Sequence, residues 1–273
     1  MSCKTILLGI DIDGQAPPLI KLAADLARRF EATLIGCCAA DIILPIVTVE
    51  GMAIDGELLE QQRVQIESRL AALGQMFTSM AGSGLETEWR SGVLSPTRFL
   101  IETARTADLI VTGSPEGARA GDPRRSINLG DFLLHAGRPV LAPASGADQC
   151  AARRALVAWK DGREVRRAVA DAFPFLKRAD EVVVATVARE ADRWEAESLA
   201  DVAAYLARHG IRARTELITG TDDARRLSDF AKAMRADLVV SGAYGHSRLR
   251  EWVFGGVTRS LLNETSLNRL MAS

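Results

Sequence analysis

Residues 107–113 read ADLIVTG, and residues 236–242 read ADLVVSG. Each is an aliphatic run closed by a small polar residue and a glycine, the pattern of a short strand buried on both faces. The two copies lie about 129 residues apart, which raises the question of an internal repeat before any other.

The repeat extends in both directions. Before each run lies a helical stretch, Pro96–Arg105 and Asp222–Arg235, and before each helix a strand-like one, Glu86–Arg90 and Arg212–Ile218. Further upstream, strand Thr5–Ile10 and helix Pro18–Phe30 answer to strand Arg154–Trp159 and helix Glu164–Leu176. Strand Thr33–Cys38 answers to Glu181–Val187. A long helix, Glu57–Met80, follows the loop Gly51–Gly56, and the second copy uses the shorter Arg193–Arg208. Downstream, each copy has a polar loop and then a helix beginning near Leu129 or Val257. Each unit therefore reads β-α-β-α-β-α-β-α-β. Short aliphatic strands alternating with amphipathic helices predict a five-stranded parallel sheet covered on both faces, with right-handed crossovers. The aperiodic stretch Ala144–Arg153 separates the units, which gives domains 1–145 and 153–273.

Composition agrees with this α/β reading. Of 273 residues, 48% are hydrophobic but only 5% aromatic, which suits helices on an aliphatic sheet. The formal charge is −1 without a long run of one sign, which argues against a nucleic-acid groove and gives no reason to invoke an anionic membrane. The longest apolar stretches, such as Ile42–Val49, fall short of a bilayer span, and no signal-like region precedes the first strand, so a cytoplasmic location is expected. Cys3, Cys37, Cys38 and Cys150 form no C-x-x-C pair and read as buried thiols.

In an open parallel sheet, ligands bind beyond the carboxyl ends of the strands, where strand order reverses. The loop after the second ADLVVSG run reads GAYGHSRLREWVFGGVT over residues 242–258, or G-x2-G-x9-G-G-V-T. Gly242 and Gly245 would let backbone approach a phosphate. Gly255 and Gly256 would aim N–H groups at an anion where a helix begins. Val257 follows them, Thr258 offers a hydroxyl, and His246 sits inside the loop. Lys160 or Arg248 would supply the countercharge. Trp252 and Phe254 read as packing anchors of the loop.

This tract, GAYGHSRLREWVFGGVTRSLL, resembles the ATP-binding loop of the universal stress protein family. The resemblance is strong in the second copy and covers the first in outline. It implies a Rossmann-like, adenine nucleotide α-hydrolase-like fold of five parallel strands per copy, the two copies pairing as an intramolecular pseudo-dimer. It also implies a role in stress survival, with ATP as the bound nucleotide and Mg2+ as its companion. The family's acidic residue after the first strand would fall at Lys160 or, with a one-residue shift, at Asp161. Val187, at the end of the second strand, would flank the adenine. The family's hydroxyl residue after the third glycine is Gly256 here.

The first copy departs further. Glu116 stands where Gly245 does, and Ile127 and Asn128 stand where Gly255 and Gly256 do. A carboxylate repels a polyphosphate and a branched side chain blocks close approach, so the phosphate half of this site reads as lost, although Asp11 matches the family's acidic position. Arg124 and Arg125 lie in a loop that reads as solvated. In the last strands, Asn268 and Arg269 replace the Pro-Val of Pro139 and Val140. Either an edge tolerates them, or the copies join in another way.

His135 and His209 read as structural. The acidic pairs Asp222-Asp223 and Asp11/Asp13 read as caps and turns. No G-x-S-x-G, H-E-x-x-H or G-x4-G-K-[ST] motif occurs, and no nucleophile or base is evident. The expected function is an ATP-binding regulator of the stress response with little or no turnover. The alternatives are a module that binds protein partners or a small ligand in place of nucleotide, and a weak ATP hydrolase. Association of two chains into a homodimer is compatible with the sequence.

Overall fold

The computed structural model describes residues 3–43, 56–113, 121–190, 193–243, 261 and 263–273. The first copy runs β1 (Thr5–Asp11), α1 (Ala16–Phe30), β2 (Thr33–Ala40), α2 (Gly56–Ala81), β3 (Thr87–Val93), α3 (Pro96–Thr103), β4 (Leu109–Thr112), α4 (Leu129–Ala136) and β5 (Val140–Ala142). The second runs β6 (Arg154–Ala158), α5 (Arg163–Asp171), α6 (Phe173–Leu176), β7 (Glu181–Ala188), α7 (Arg193–Arg208), β8 (Arg214–Thr219), α8 (Asp223–Ala233), β9 (Leu238–Gly242) and β10 (Arg269–Ala272). The helix expected over Glu164–Leu176 is broken at Ala172, because Pro174 restarts a short turn.

The ten strands form one sheet in the order β3-β2-β1-β4-β5-β10-β9-β6-β7-β8. All pairs are parallel except β5 with β10, where the copies meet antiparallel through Arg269 opposite Ala142 and Met271 opposite Val140. The sequence therefore folds as two five-stranded parallel units packed as an internal pseudo-dimer. Residues 143–153 between them carry neither helix nor strand. They are tied down by Arg29, which donates to the carbonyls of Cys150 at 2.6 Å and Ala151 at 3.1 Å.

Helices cover both faces. On one face α1, α2, α5 and α7 share a single core that runs through both copies, and Phe30 meets Phe175 edge-on at 5.1 Å across the seam. On the other face α3 and α4 cover the first copy, and α8 with Leu261 covers the second. Each fully buried side chain of this kind contributes about 1.5–3 kcal/mol against exposure. At the centre of β2, Gly36 lets the ring of Phe77 lie on the sheet, since a Cβ there would come within 2.7 Å of it.

Of the two arrangements left open for Asn268 and Arg269, the seam excludes an edge. β10 lies between β5 and β9, and Arg269 is fully buried. Its guanidinium donates to the carbonyls of Leu261 at 2.8 Å and Pro143 at 3.3 Å. Burial pulls its pKa down to about 10. Asn268 bridges the copies with both ends of its amide. It accepts from the Ala144 amide at 2.9 Å and donates to the Asp237 carbonyl at 2.8 Å. Polar side chains are tolerated in this core because backbone carbonyls and amides satisfy them.

All four cysteines are buried and free. Burial pushes the thiols of Cys3, Cys38 and Cys150 up to about 12 and raises that of Cys37 as well. Cys37 and Cys38 are adjacent but enter the cores on opposite faces of the sheet.

Candidate functional site

Strand order in the second copy reverses at β6. The chain proceeds from β6 to β7 and β8 on one side, then returns to β9 on the other. The crevice of such a sheet opens between the carboxyl ends of β6 and β9. There Ala158 and Ser241 are register partners, and the expected glycine loop departs from the next residue, Gly242. Gly245, His246, Gly255, Gly256, Val257 and Thr258 lie outside the described residues, as do Arg248, Trp252 and Phe254.

Four of the expected site residues are described, and two of them, Lys160 and Val187, face the α8 side of the sheet. Lys160 reaches over to Asp223, the first residue of α8, at 3.2 Å. Both ends of this pair are partly in solvent, so it stabilises little and releases the lysine easily. Val187, half-buried near the end of β7, packs on the core under α8. Gly242 ends β9, but its missing side chain serves packing. A Cβ there would lie 2.6 Å from the backbone nitrogen of Val165 and 2.9 Å from the carbonyl carbon of Glu164. On its Cβ side, Gly242 is therefore closed by the first turn of α5.

Asp161 points elsewhere. Its carboxylate takes two hydrogen bonds from Arg166, at 2.9 and 2.6 Å, on the side of α5 and α7. Register explains why. Gly9 pairs with Thr112 as Ala158 pairs with Ser241, so Lys160 is the counterpart of Asp11 and Asp161 that of Ile12. The one-residue shift that would give the second copy an adenine-facing carboxylate at Asp161 does not occur. A cation stands in that place.

In the first copy the corresponding crevice is closed by its own chain. The Ile127 amide donates to Asp11 Oδ1 at 2.7 Å. Arg125 forms a two-pronged ion pair with Asp13, and the Asp41 amide donates to the Arg124 carbonyl at 2.7 Å. Arg125 is therefore engaged, and its guanidinium holds the Asp13 carboxyl below the usual range. The remaining hollow, beside Asp11, Gly14 and Gly113, measures only about 40 Å3. Asn128 caps α4 by accepting from the Asp131 amide at 3.0 Å, and Asp222 caps α8 by accepting from the Arg225 amide at 3.1 Å. His135 is exposed beside Asp131 at 3.2 Å, and His209 stacks with Phe173 and Tyr205.

Sequence reasoning passed over a second feature. A groove of about 410 Å3 runs between α5 and α7, lined by Trp159, Asp161, Arg166, Trp194, Asp201 and Tyr205 among others. No motif marks it. The one available signal was the replacement of the aliphatic pair Ile10 and Ile12 by Trp159 and Asp161 at matching places.

These observations define a doubled, doubly wound α/β protein whose second half carries a glycine-rich loop at its switch point. The universal stress protein family model matches residues 2–130 and 151–271, and the chain belongs to that family. Among solved structures it is similar to a universal stress protein from Archaeoglobus fulgidus DSM 4304, at 14% identity over 98% of each chain with a TM-score of 0.72. It is also similar to a protein from Pseudomonas aeruginosa PAO1, at 15% identity over 99% of this chain and 92% of that one, with a TM-score of 0.62. The cytoplasmic domain of a prokaryotic cation chloride cotransporter has the same architecture at 12% identity, with 99% and 95% coverage and a TM-score of 0.52. At such identities the likeness concerns the fold alone. No curated protein matches the chain. Among the described residues no helix is long and apolar enough to cross a membrane, and no cluster of three or more His, Cys, Asp or Glu could hold a metal ion.

Proposed function

We propose that this chain is an ATP-binding regulatory protein of the stress response that acts by binding rather than turnover, with the nucleotide in its C-terminal half, residues 153–273. One observation carries the reading. The G-x2-G-x9-G-G-V-T tract begins at Gly242, where β9 ends beside β6 at the reversal of strand order. Backbone amides of a glycine-rich loop running into a helix favour a polyphosphate there. Lys160, on the same side as Val187, adds a cation that can exchange Asp223 for a phosphate oxygen. The fit of the described residues to ATP is partial, because no carboxylate stands at the position of Lys160 to meet the adenine. The loop amides would bind the phosphates, with Mg2+ as their counterion, and Val187 would pack on the base. No described group is placed to activate water.

Calorimetric titration with ATP-Mg tests this. Saturable binding is expected, together with a rise in melting temperature and loss of both in Gly256→Asp. No heat and no melting shift at millimolar ATP-Mg would overturn it. That result would favour a module that binds a partner in place of nucleotide, a reading to which Lys160 in the place of a carboxylate already lends support. Release of AMP and pyrophosphate from bound ATP would instead indicate an enzyme.

A further inference from the structure

The groove between α5 and α7 lies on the opposite face of the sheet from α8, and the nucleotide reading makes no use of it. In the first copy the equivalent helices α1 and α2 pack directly together, whereas α5 and α7 scarcely touch. The space they leave is about 410 Å3, within the range of small-molecule sites.

Its walls are aromatic and built in advance. Trp159 is almost fully buried, and its indole N–H donates to Ser198 Oγ at 2.9 Å, which fixes the ring. Tyr205 is braced by Phe173 at 5.8 Å and His209 at 4.8 Å. Trp194, 66% exposed, forms the rim from the first turn of α7. A large aromatic surface kept in water near two fixed rings has its natural use in covering a ligand.

The charge of the lining sets the ligand's sign. Three carboxylates, Asp161, Glu197 and Asp201, stand against one cation, Arg166. Arg166 is held by Asp161, and Glu197 takes Arg193 at 2.6 Å from outside the groove. Asp201 faces no cation among the described residues. Aromatic faces present negative potential and attract organic cations, and an unpaired carboxylate beside them adds to that attraction.

We propose that this groove is a binding site for a small organic ammonium compound, its cation held by the faces of Trp159, Trp194 and Tyr205 and by the Asp201 carboxylate. The site is independent of nucleotide, so its success or failure leaves the ATP reading untouched.

The test uses the full chain and choline as probe, with the uncharged isostere of choline in which a tert-butyl group replaces the trimethylammonium. Calorimetry is expected to show saturable binding of choline and at least about tenfold weaker binding of the isostere. Asp201→Asn and Trp194→Ala, both at exposed positions and expected to melt like the parent, should each weaken choline binding about five- to tenfold. Absence of saturable choline binding overturns the proposal. So does equal affinity for the isostere, which would mark an apolar groove, or choline binding undiminished in both variants, which would place the heat elsewhere.

Discussion

The Ile127 amide is hydrogen-bonded to Asp11 at 2.7 Å, and through this bond the segment entering α4 seals the end of β1. The acceptor is a carboxylate in an apolar setting. Burial drives its pKa up to about 6, against the lowering effect of the Ile127 bond.

A raised carboxyl pKa in the folded state means that ionisation opposes folding. The destabilisation grows as pH rises from about 4, where the unfolded chain titrates, to about 6, and is constant above that. Asp11→Asn keeps an acceptor for Ile127 and removes the charge. Urea unfolding should find the variant more stable than the parent by about 1–3 kcal/mol at pH 7, with the gap closing by about pH 4. A gap unchanged between those pH values would show that Asp11 does not titrate in this way.

At the seam, Arg269→Ala leaves the carbonyls of Leu261 and Pro143 without their donor and opens a cavity. The expected cost is about 3 kcal/mol in urea unfolding, with Arg269→Met recovering the packing part of it. Asn268→Ala, which loses a bond to each copy, should cost about 2 kcal/mol. Losses below about 0.5 kcal/mol in both would mean that neither residue holds the halves together.

Gly242→Ala would set a methyl carbon 2.6 Å from the Val165 nitrogen, against helix backbone that cannot swing aside. A loss of about 2–4 kcal/mol is expected, measured as a fall in melting temperature. A neutral outcome would reassign this glycine to the loop beyond it.

The four thiols should be inert toward a water-soluble disulfide reagent in the native protein and all react after unfolding, since each is buried with a raised pKa. Rapid labelling of Cys37 or Cys38 without unfolding would reveal an opening of the β2 core.

The architecture was legible because it rests on patterns the chain repeats. The ADLIVTG and ADLVVSG runs became the equivalent strands β4 and β9, and the other expected strands and helices among the described residues appear within a few positions, apart from the break of Glu164–Leu176 at Ala172. The chemistry at strand ends was less legible. Whether Lys160 or Asp161 follows β6 at the place of Asp11 turns on a single residue of register, which pairing partners decide and composition does not. The packing use of Gly242 was not legible, because a missing Cβ is equally useful to a ligand and to a neighbouring helix. The burial of Arg269 was not legible because arginine is rarely buried, and one of the carbonyls that accept it, Pro143, belongs to the other side of the seam, far away in sequence. The α5–α7 groove depends on helices that fail to touch, which local sequence does not encode.

The antiparallel join of β5 and β10 sets all strands of one half pointing against all strands of the other. The mouths of the two halves therefore open on opposite rims of the molecule. One small ligand cannot bridge them, and the two rims are joined through the common core under α1 and α5 as well as through the buried arginine and asparagine at the centre.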